Sequence, residues 1–278
     1  GKFELDNLLS EKRFTWLSNN GGFLYAYHYQ PAGSVDNYTF GLGDNQIGAE
    51  VMGHSKNSYT RYSLAVVSQD DGEPGLPSGK GMDAMVSLSQ AFAMGSGMGP
   101  QRIGVFGYLG QRPTSVTTLG TEPVPGTATD NKSFMRVGAT AQFWIGNLEF
   151  LPMFTHASDD AALGGGTQKP TWNTALLEVH YSATARLLVQ GRYEMVRMSE
   201  QADPAIPKTF GDVDAVVLGF RAYPFMFSRD GMAIHGEFAM TNTTGMAPLS
   251  GDGSGVDALD PATKIKSLSV FIGMDFAF

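Results

Sequence analysis

The chain has no cysteine. That excludes a disulfide framework, a thiolate metal site and the CxxCH attachment of a covalent haem. It also lacks any run of about 18 apolar residues, so no helix of this sequence can cross a membrane. Charge is scarce at 17% of residues, where a soluble domain carries about a quarter. Basic residues are in deficit, with 19 Lys and Arg against 27 Asp and Glu and a net charge of −8. Nothing so acidic can track phosphates, which argues against a nucleic-acid partner.

What is abundant is glycine at 35, methionine at 14, and Phe and Tyr at 18 and 10. Mean hydropathy is −0.12. A sheet that faces lipid on one side and crowded polar side chains on the other has this composition, because the inner residues dilute the outer ones. The 278 residues contain no Pro- or Ser-rich linker, so a single domain is expected over residues 23–278. Residues 1–22 show no clean alternation; Phe3, Leu5, Leu8, Leu9 and Trp16 suit a lead-in or arm, preferred here to a plug inside the barrel. The chain opens at Gly1 with no export signal ahead of the strands, as a processed chain or part of a longer precursor would.

Period-two alternation carries the fold. In Lys264 to Phe278, Leu268, Val270, Ile272, Met274, Phe276 and Phe278 share one parity, and Ser267, Ser269, Gly273, Asp275 and Ala277 the other, with Phe271 the one large exception. Similar segments are predicted at Phe23 to Tyr29, Gln46 to His54, Tyr59 to Gln69, Met82 to Phe92, Arg102 to Gln111 and Phe134 to Ile145. They continue at Leu148 to His156, Thr171 to Tyr181, Arg186 to Met198, Val213 to Tyr223 and Met232 to Met240. Together these give about twelve strands, each near the roughly ten residues a tilted strand needs to span a bilayer. Short connectors around Ser55 to Asn57, Ala93 to Pro100, Gly146-Asn147, Ser182 to Thr184 and Pro224 to Asp230 alternate with long ones. The long ones run over residues 31–45, 70–81, 113–133, 158–170, 200–212 and 241–263. Strict alternation of short and long connectors belongs to an antiparallel up-and-down transmembrane β-barrel, with one rim of turns and one of loops.

Parity assigns the faces. The lipid side takes Leu148, Phe150, Phe154, Ala175, Leu177, Val179, Tyr181, Leu187, Val189, Tyr193, Met195, Ile234, Phe238 and Met240. The opposite side collects Arg136, Glu149, Glu178, His180, Arg186, Gln190, Arg192, Glu194, Arg221, His235, Glu237 and Asp275. Glu50, Arg61 and Asp83 join it more loosely. Buried ions must pair or be hydrated, so this face implies an ionic network across a lumen, read as a channel constriction or as a brace. Pro152 falls inside a strand, where a missing amide donor predicts a bulge or an early stop.

His180 and His235 beside Glu178, Glu194 and Glu237 invite general acid and base chemistry. No GxSxG nucleophile motif accompanies them, and no serine can be nominated for a lumen Ser–His dyad of the outer-membrane phospholipase kind. No enzymatic activity is therefore expected. His28, His54, His156, His180 and His235 are scattered without ligand spacing, so no metal or cofactor is expected either. Asp70-Asp71, Asp159-Asp160, Asp252, Asp257 and Asp260 read as solvated loop charge. The glycines at 95, 97 and 164–166 lack the following Lys-Ser/Thr helix of a phosphate cradle.

The terminal Asp275-Phe276-Ala277-Phe278 resembles the closing signature of Gram-negative outer-membrane barrels. SYTRYSLAVVS at Ser58 to Ser68, PTWNTALLEVHY at Pro170 to Tyr181 and RYEMVRMS at Arg192 to Ser199 resemble porin-like barrels associated with outer-membrane c-type cytochromes. The resemblance implies an outer-membrane location, contact with outer-membrane lipid and lipopolysaccharide, and either a narrow passive channel or a scaffold for a c-type cytochrome partner. A surface-interaction barrel is the third reading. With no cysteine, any haem would belong to the partner.

Overall fold

A computed structural model describes residues 2–4, 45–68, 82–94, 101–113, 131–161, 166–226, 231–245 and 263–277. Their regular structure is one antiparallel sheet in chain order. It runs β1 (Lys2–Glu4), β2 (Asn45–His54), β3 (Thr60–Ser68), β4 (Met82–Phe92), β5 (Gln101–Pro113) and β6 (Asn131–Ile145). It continues with β7 (Leu148–Asp159), β8 (Thr171–Thr184), β9 (Leu187–Glu200), β10 (Val213–Met226), β11 (Gly231–Thr244) and β12 (Lys264–Ala277). Among the described residues no helix occurs, and no ladder joins β12 to β1 or β2. The architecture is the up-and-down barrel sheet that the alternation predicts, with its seam unpaired in this set.

One face of this single layer is buried although, among the described residues, no second layer covers it. Ala65, Val67, Met85, Tyr108, Trp172, Glu194 and Val196 are buried on the inner parity. A lone sheet can bury a face only by curling around it. The outer parity stays open: Leu64, Val86, Val105, Leu218, Val270 and Ile272 are exposed, the last two at 68% and 75%. Such a continuous apolar surface far exceeds what a soluble monomer leaves in water. A strand such as β8, 14 residues long, reaches roughly 36 Å across at ~3.3 Å per residue and ~40° tilt, enough for an apolar band of about 25 Å.

Tight turns close the short rim. Gly146 holds φ at +61° in the two-residue link between β6 and β7, a geometry open to glycine at the first central position of a II′ hairpin turn. At the β2–β3 turn, Ser58 N donates to Ser55 O at 2.8 Å, while the Arg102 guanidinium donates to Ser58 O at 3.0 Å and Tyr59 O at 3.2 Å.

Several boundaries depart from expectation. The strand predicted at Phe23 to Tyr29 lies outside the described residues. Lys2–Glu4, inside the expected arm, pairs with Asn45–Ile47. Pro152 causes no bulge: β7 keeps its register, and only the β6 ladder skips between Thr140↔Met153 and Phe143↔Phe150. Around the proline the β6 ladder loses two pairings without changing register, and Pro152 still stands opposite Leu177 of β8. A register shift falls instead between Ala222 and Phe225, around Pro224, which lets β10 run on to Met226. Arg186 precedes β9 and occupies the exposed β8–β9 turn, where its amide donates to Thr184 Oγ1.

Candidate functional site

Cross-strand register assembles the inner residues into rows. One row runs Trp144, Glu149, His180, Gln190, Gly219, Glu237, Phe271, each opposite the next on β6 to β12. The row above it holds Leu151, Glu178, Arg192 and Val217. The row below pairs Leu188 with Arg221 and Arg221 with His235. Period two therefore brings together from seven strands what the sequence scatters over more than a hundred positions.

His180 is clamped at both ring nitrogens. Nδ1 lies 2.8 Å from Glu149 Oε2, and Nε2 hydrogen-bonds Glu178 Oε1. Ionised carboxylates only accept, so the three groups share one proton beyond those of a neutral imidazole and two carboxylates. Gln142 Nε2 donates to the other oxygen of Glu149 at 2.6 Å. On β9, Arg192 Nε lies 2.6 Å from Glu194 Oε1, both side chains almost fully buried. His235 stacks on Phe271 at 5.3 Å, which gives this large apolar residue on the inner parity of β12 a partner. The Arg221 guanidinium sits 5.5 Å from the Tyr223 ring.

A second cluster lies nearer the long loops. Arg136 Nη1 donates to Asp159 Oδ1 at 2.6 Å and to Ser158 O, with the guanidinium over the Trp172 ring at 4.6 Å. Tyr108 donates to Asp83 Oδ2 at 2.8 Å. Glu50 accepts from Ser63 Oγ at 2.5 Å. Above this level the β9–β10 connector, residues 201–212, folds onto the inner wall. Ala202 and Phe210 pack with Ala157, Trp172, Val196 and Val213, and Met198 and Ile206 close the edge. Gln201 Nε2 donates to Lys208 O and Phe210 O, and Ala202 O accepts from the amides of Thr167 and Gln168.

The predicted inner residues therefore divide. Arg136, Glu149, Glu178, His180, Arg192, Glu194, His235 and Glu237 are buried on the inner face, and Arg221 is half-buried there. Arg61 shares that parity but is exposed at the short-turn rim, and Arg186 is corrected from the lumen to a turn. Asp275 belongs to β12 opposite Ala233, and its side chain lies outside the described set. Asp159, expected as loop charge, is corrected to a buried partner of Arg136 at the end of β7. Asp70-Asp71, Asp252, Asp257 and Asp260 lie outside the described residues.

The apolar loop 201–212 escaped sequence reasoning because Pro204 and Pro207 break any helix that the spacing of Ala202, Ile206 and Phe210 would otherwise suggest, so the segment reads as a plain connector. An outer polar pair also escaped it. Arg197 Nη2 lies 2.5 Å from Asp214 Oδ1, which also accepts from Tyr193 at 2.7 Å. Beside it, Asp212 Oδ1 accepts from the Met198 amide at 2.9 Å. Burial pushes the Asp212 carboxyl above its ordinary value, against the amide bond and Arg197.

The expectation of no enzymatic activity is withdrawn. It rested on the absence of a GxSxG nucleophile motif, whereas His180 stands in a buried clamp between two carboxylates, within proton-transfer reach of both.

An outer apolar band, an inner ionic face and strand-by-strand connectivity define a transmembrane antiparallel β-barrel. No family model matches the chain, and no curated protein does. Among solved structures the chain is similar to OmpT (in-vitro folded), an outer membrane protein of Vibrio cholerae, with a TM-score of 0.49 and 16% identity. The match covers 84% of this chain and 63% of that one, so this chain spans under two thirds of that protein. A likeness of that strength carries no function across.

Proposed function

We propose that the chain is an outer-membrane barrel forming a narrow, charge-lined passive channel for ions or small solutes. The observation that carries this reading is the ionic face itself. Holding Glu149, Glu178, His180, Arg192, Glu194 and Glu237 inside a sheet is costly, because each ion loses water that pairing only partly replaces. A lumen that needed only filling would be served by apolar side chains. A hydrated, paired lining instead keeps a polar path past the strands, and the loop over residues 201–212 narrows that path at the long-loop end. Lipid contact follows from the outer band, and a Gram-negative outer membrane is the bilayer that houses such sheets.

Solute flux into liposomes tests the reading. Purified barrel should admit monovalent salts and the smallest sugars while excluding oligosaccharides. Liposomes whose barrels are correctly folded but which swell no faster than protein-free ones would refute it.

A further inference from the structure

The outer face carries polar side chains at its long-loop end that the lumen does not use. On β7 the inner parity holds Thr155, Ala157 and Asp159, all buried, so Phe154, His156 and Ser158 face outward. Asn173 of β8 stands opposite His156 and shares its face. His156 Nδ1 lies 2.9 Å from Asn173 Oδ1, and Asn173 Nδ2 donates to Ser199 Oγ of β9 at 3.0 Å. The second bond fixes which way the amide is turned. A carbonyl oxygen only accepts, so the histidine proton is on Nδ1 and Nε2 keeps its lone pair. Neither that nitrogen nor the Ser158 hydroxyl has a hydrogen-bond partner among the described residues.

A histidine oriented through Nδ1 by a carbonyl oxygen, with Nε2 open and a serine two residues along the same face, has the three parts of an activated nucleophile. Alternate residues of a strand lie roughly 7 Å apart, a gap that an imidazole and a hydroxymethyl group close by side-chain rotation. Ser199 is a poorer nucleophile here, because it lies two strands from His156 and its oxygen is engaged by the amide. Depth decides what the group meets. At ~3.3 Å per residue and ~40° tilt, His156 and Ser158 stand roughly 20 and 25 Å from the short-turn end of β7, at the upper edge of an apolar band of about 25 Å. Phe154, Ala175 and Met195 form the next outward row below them, an apolar surface on which an acyl chain can lie. The ester groups that join acyl chains to a glycerolipid headgroup sit at this boundary between hydrocarbon and interface.

We propose that Ser158, His156 and Asn173 form an esterase site on the outer wall of the barrel that hydrolyses the acyl esters of bilayer glycerolipids. Ser158 Oγ attacks the ester carbonyl carbon while His156 Nε2 takes its proton. The bond from that carbon to the glycerol oxygen breaks, and the oxygen leaves as the alcohol with the proton from Nε2. Water, deprotonated by the same nitrogen, then splits the acyl-serine ester and releases the fatty acid and the free hydroxyl. Asn173 touches no reacting atom; it is a positioning residue that holds the imidazole in its tautomer and orientation. The activity stands apart from the channel reading, because its residues face lipid and the lumen lies behind their strands.

The experiment is fatty-acid release by the purified full chain in mixed micelles of detergent and diacyl phosphatidylethanolamine, with the diether analogue as the uncleavable control. Wild type should release fatty acid from the diester alone, and an alkyl fluorophosphonate should label Ser158, as peptide mass would show. Ser158→Ala and His156→Ala should each lower kcat at least about 100-fold. Asn173→Ala should lower kcat at least about ten-fold with KM unchanged, and Asn173→Asp, which keeps the acceptor for Nδ1, should recover most of it. Unchanged heat-modifiable mobility on electrophoresis certifies the fold of each variant. A folded wild type that releases no fatty acid and takes no label overturns the proposal. Release that survives Ser158→Ala belongs to another nucleophile and overturns it as well. Equal losses of kcat in Asn173→Ala and Asn173→Asp overturn the positioning role of Asn173.

Discussion

Arginine at Leu177 should destabilise the protein in a bilayer according to its depth. Leu177 is exposed on the outer face of β8 opposite Pro152 and Tyr193, and lies near the middle of Thr171–Thr184. At ~3.3 Å per residue and ~40° tilt it stands roughly 18 Å from the short-turn end of its strand, which is close to mid-bilayer. Val189, also outward, lies only two residues into β9, roughly 5 Å from the same rim by that reckoning. Arg on the lipid face costs about 2–4 kcal/mol at the midplane and about 0–1 near the interface. Leu177→Arg should therefore cost about 2–4 kcal/mol, and Val189→Arg no more than about 1. Reversible guanidinium unfolding in lipid vesicles, followed by tryptophan fluorescence, reads both. If this face met water, an exposed Leu→Arg would shift stability by within about 0.5 kcal/mol in either direction. Equal small costs at the two depths would refute the lipid-facing assignment.

Other consequences concern the interior. Arg136→Met strands the buried Asp159 carboxylate and should cost about 3–5 kcal/mol; the double change with Asp159→Leu should recover most of it, as a double-mutant cycle in the same unfolding assay would show. Phe210→Ala should loosen the loop from Trp172 and Val196, costing about 3–5 kcal/mol if the site does not collapse, and raise single-channel conductance with it. Asp212 gives a pH dependence of known sign. Its folded-state carboxyl binds protons more tightly than the ordinary value of 3.8, so stability is gained as pH falls through the raised value and fully gained below the ordinary one. Asp212→Asn keeps an acceptor for the Met198 amide and should flatten this slope in denaturant midpoints measured between pH 3 and pH 7.

Strand cores were legible in the sequence because lipid on one side and polar side chains on the other impose period two. Met82–Phe92 matches its predicted segment, and β7, β8, β10 and β12 begin where alternation begins. Strand ends were less legible. β8 continues through Ser182 to Thr184 and β11 through Thr241 to Thr244, because past the apolar band a strand keeps its ladder while its outer residues lose any need to be apolar. The inner face was legible as a set and not as a geometry. Parity placed Glu149, Glu178 and His180 on one side, but only the register puts His180 opposite both Glu149 and Gln190. Asp159 was misread because an Asp-Asp pair beside a glycine-rich stretch looks like a loop, and its Arg136 partner lies on the neighbouring strand. The inward fold of residues 201–212 depends on the wall formed by Trp172, Val196 and Val213, and no local pattern encodes it.

Single-channel recording of the purified chain in a planar bilayer tests the central claim most directly. A narrow, ionically lined lumen predicts small, stepwise, salt-dependent conductances that rise in Phe210→Ala. A correctly folded barrel that stays silent in both forms at all salt concentrations would contradict it.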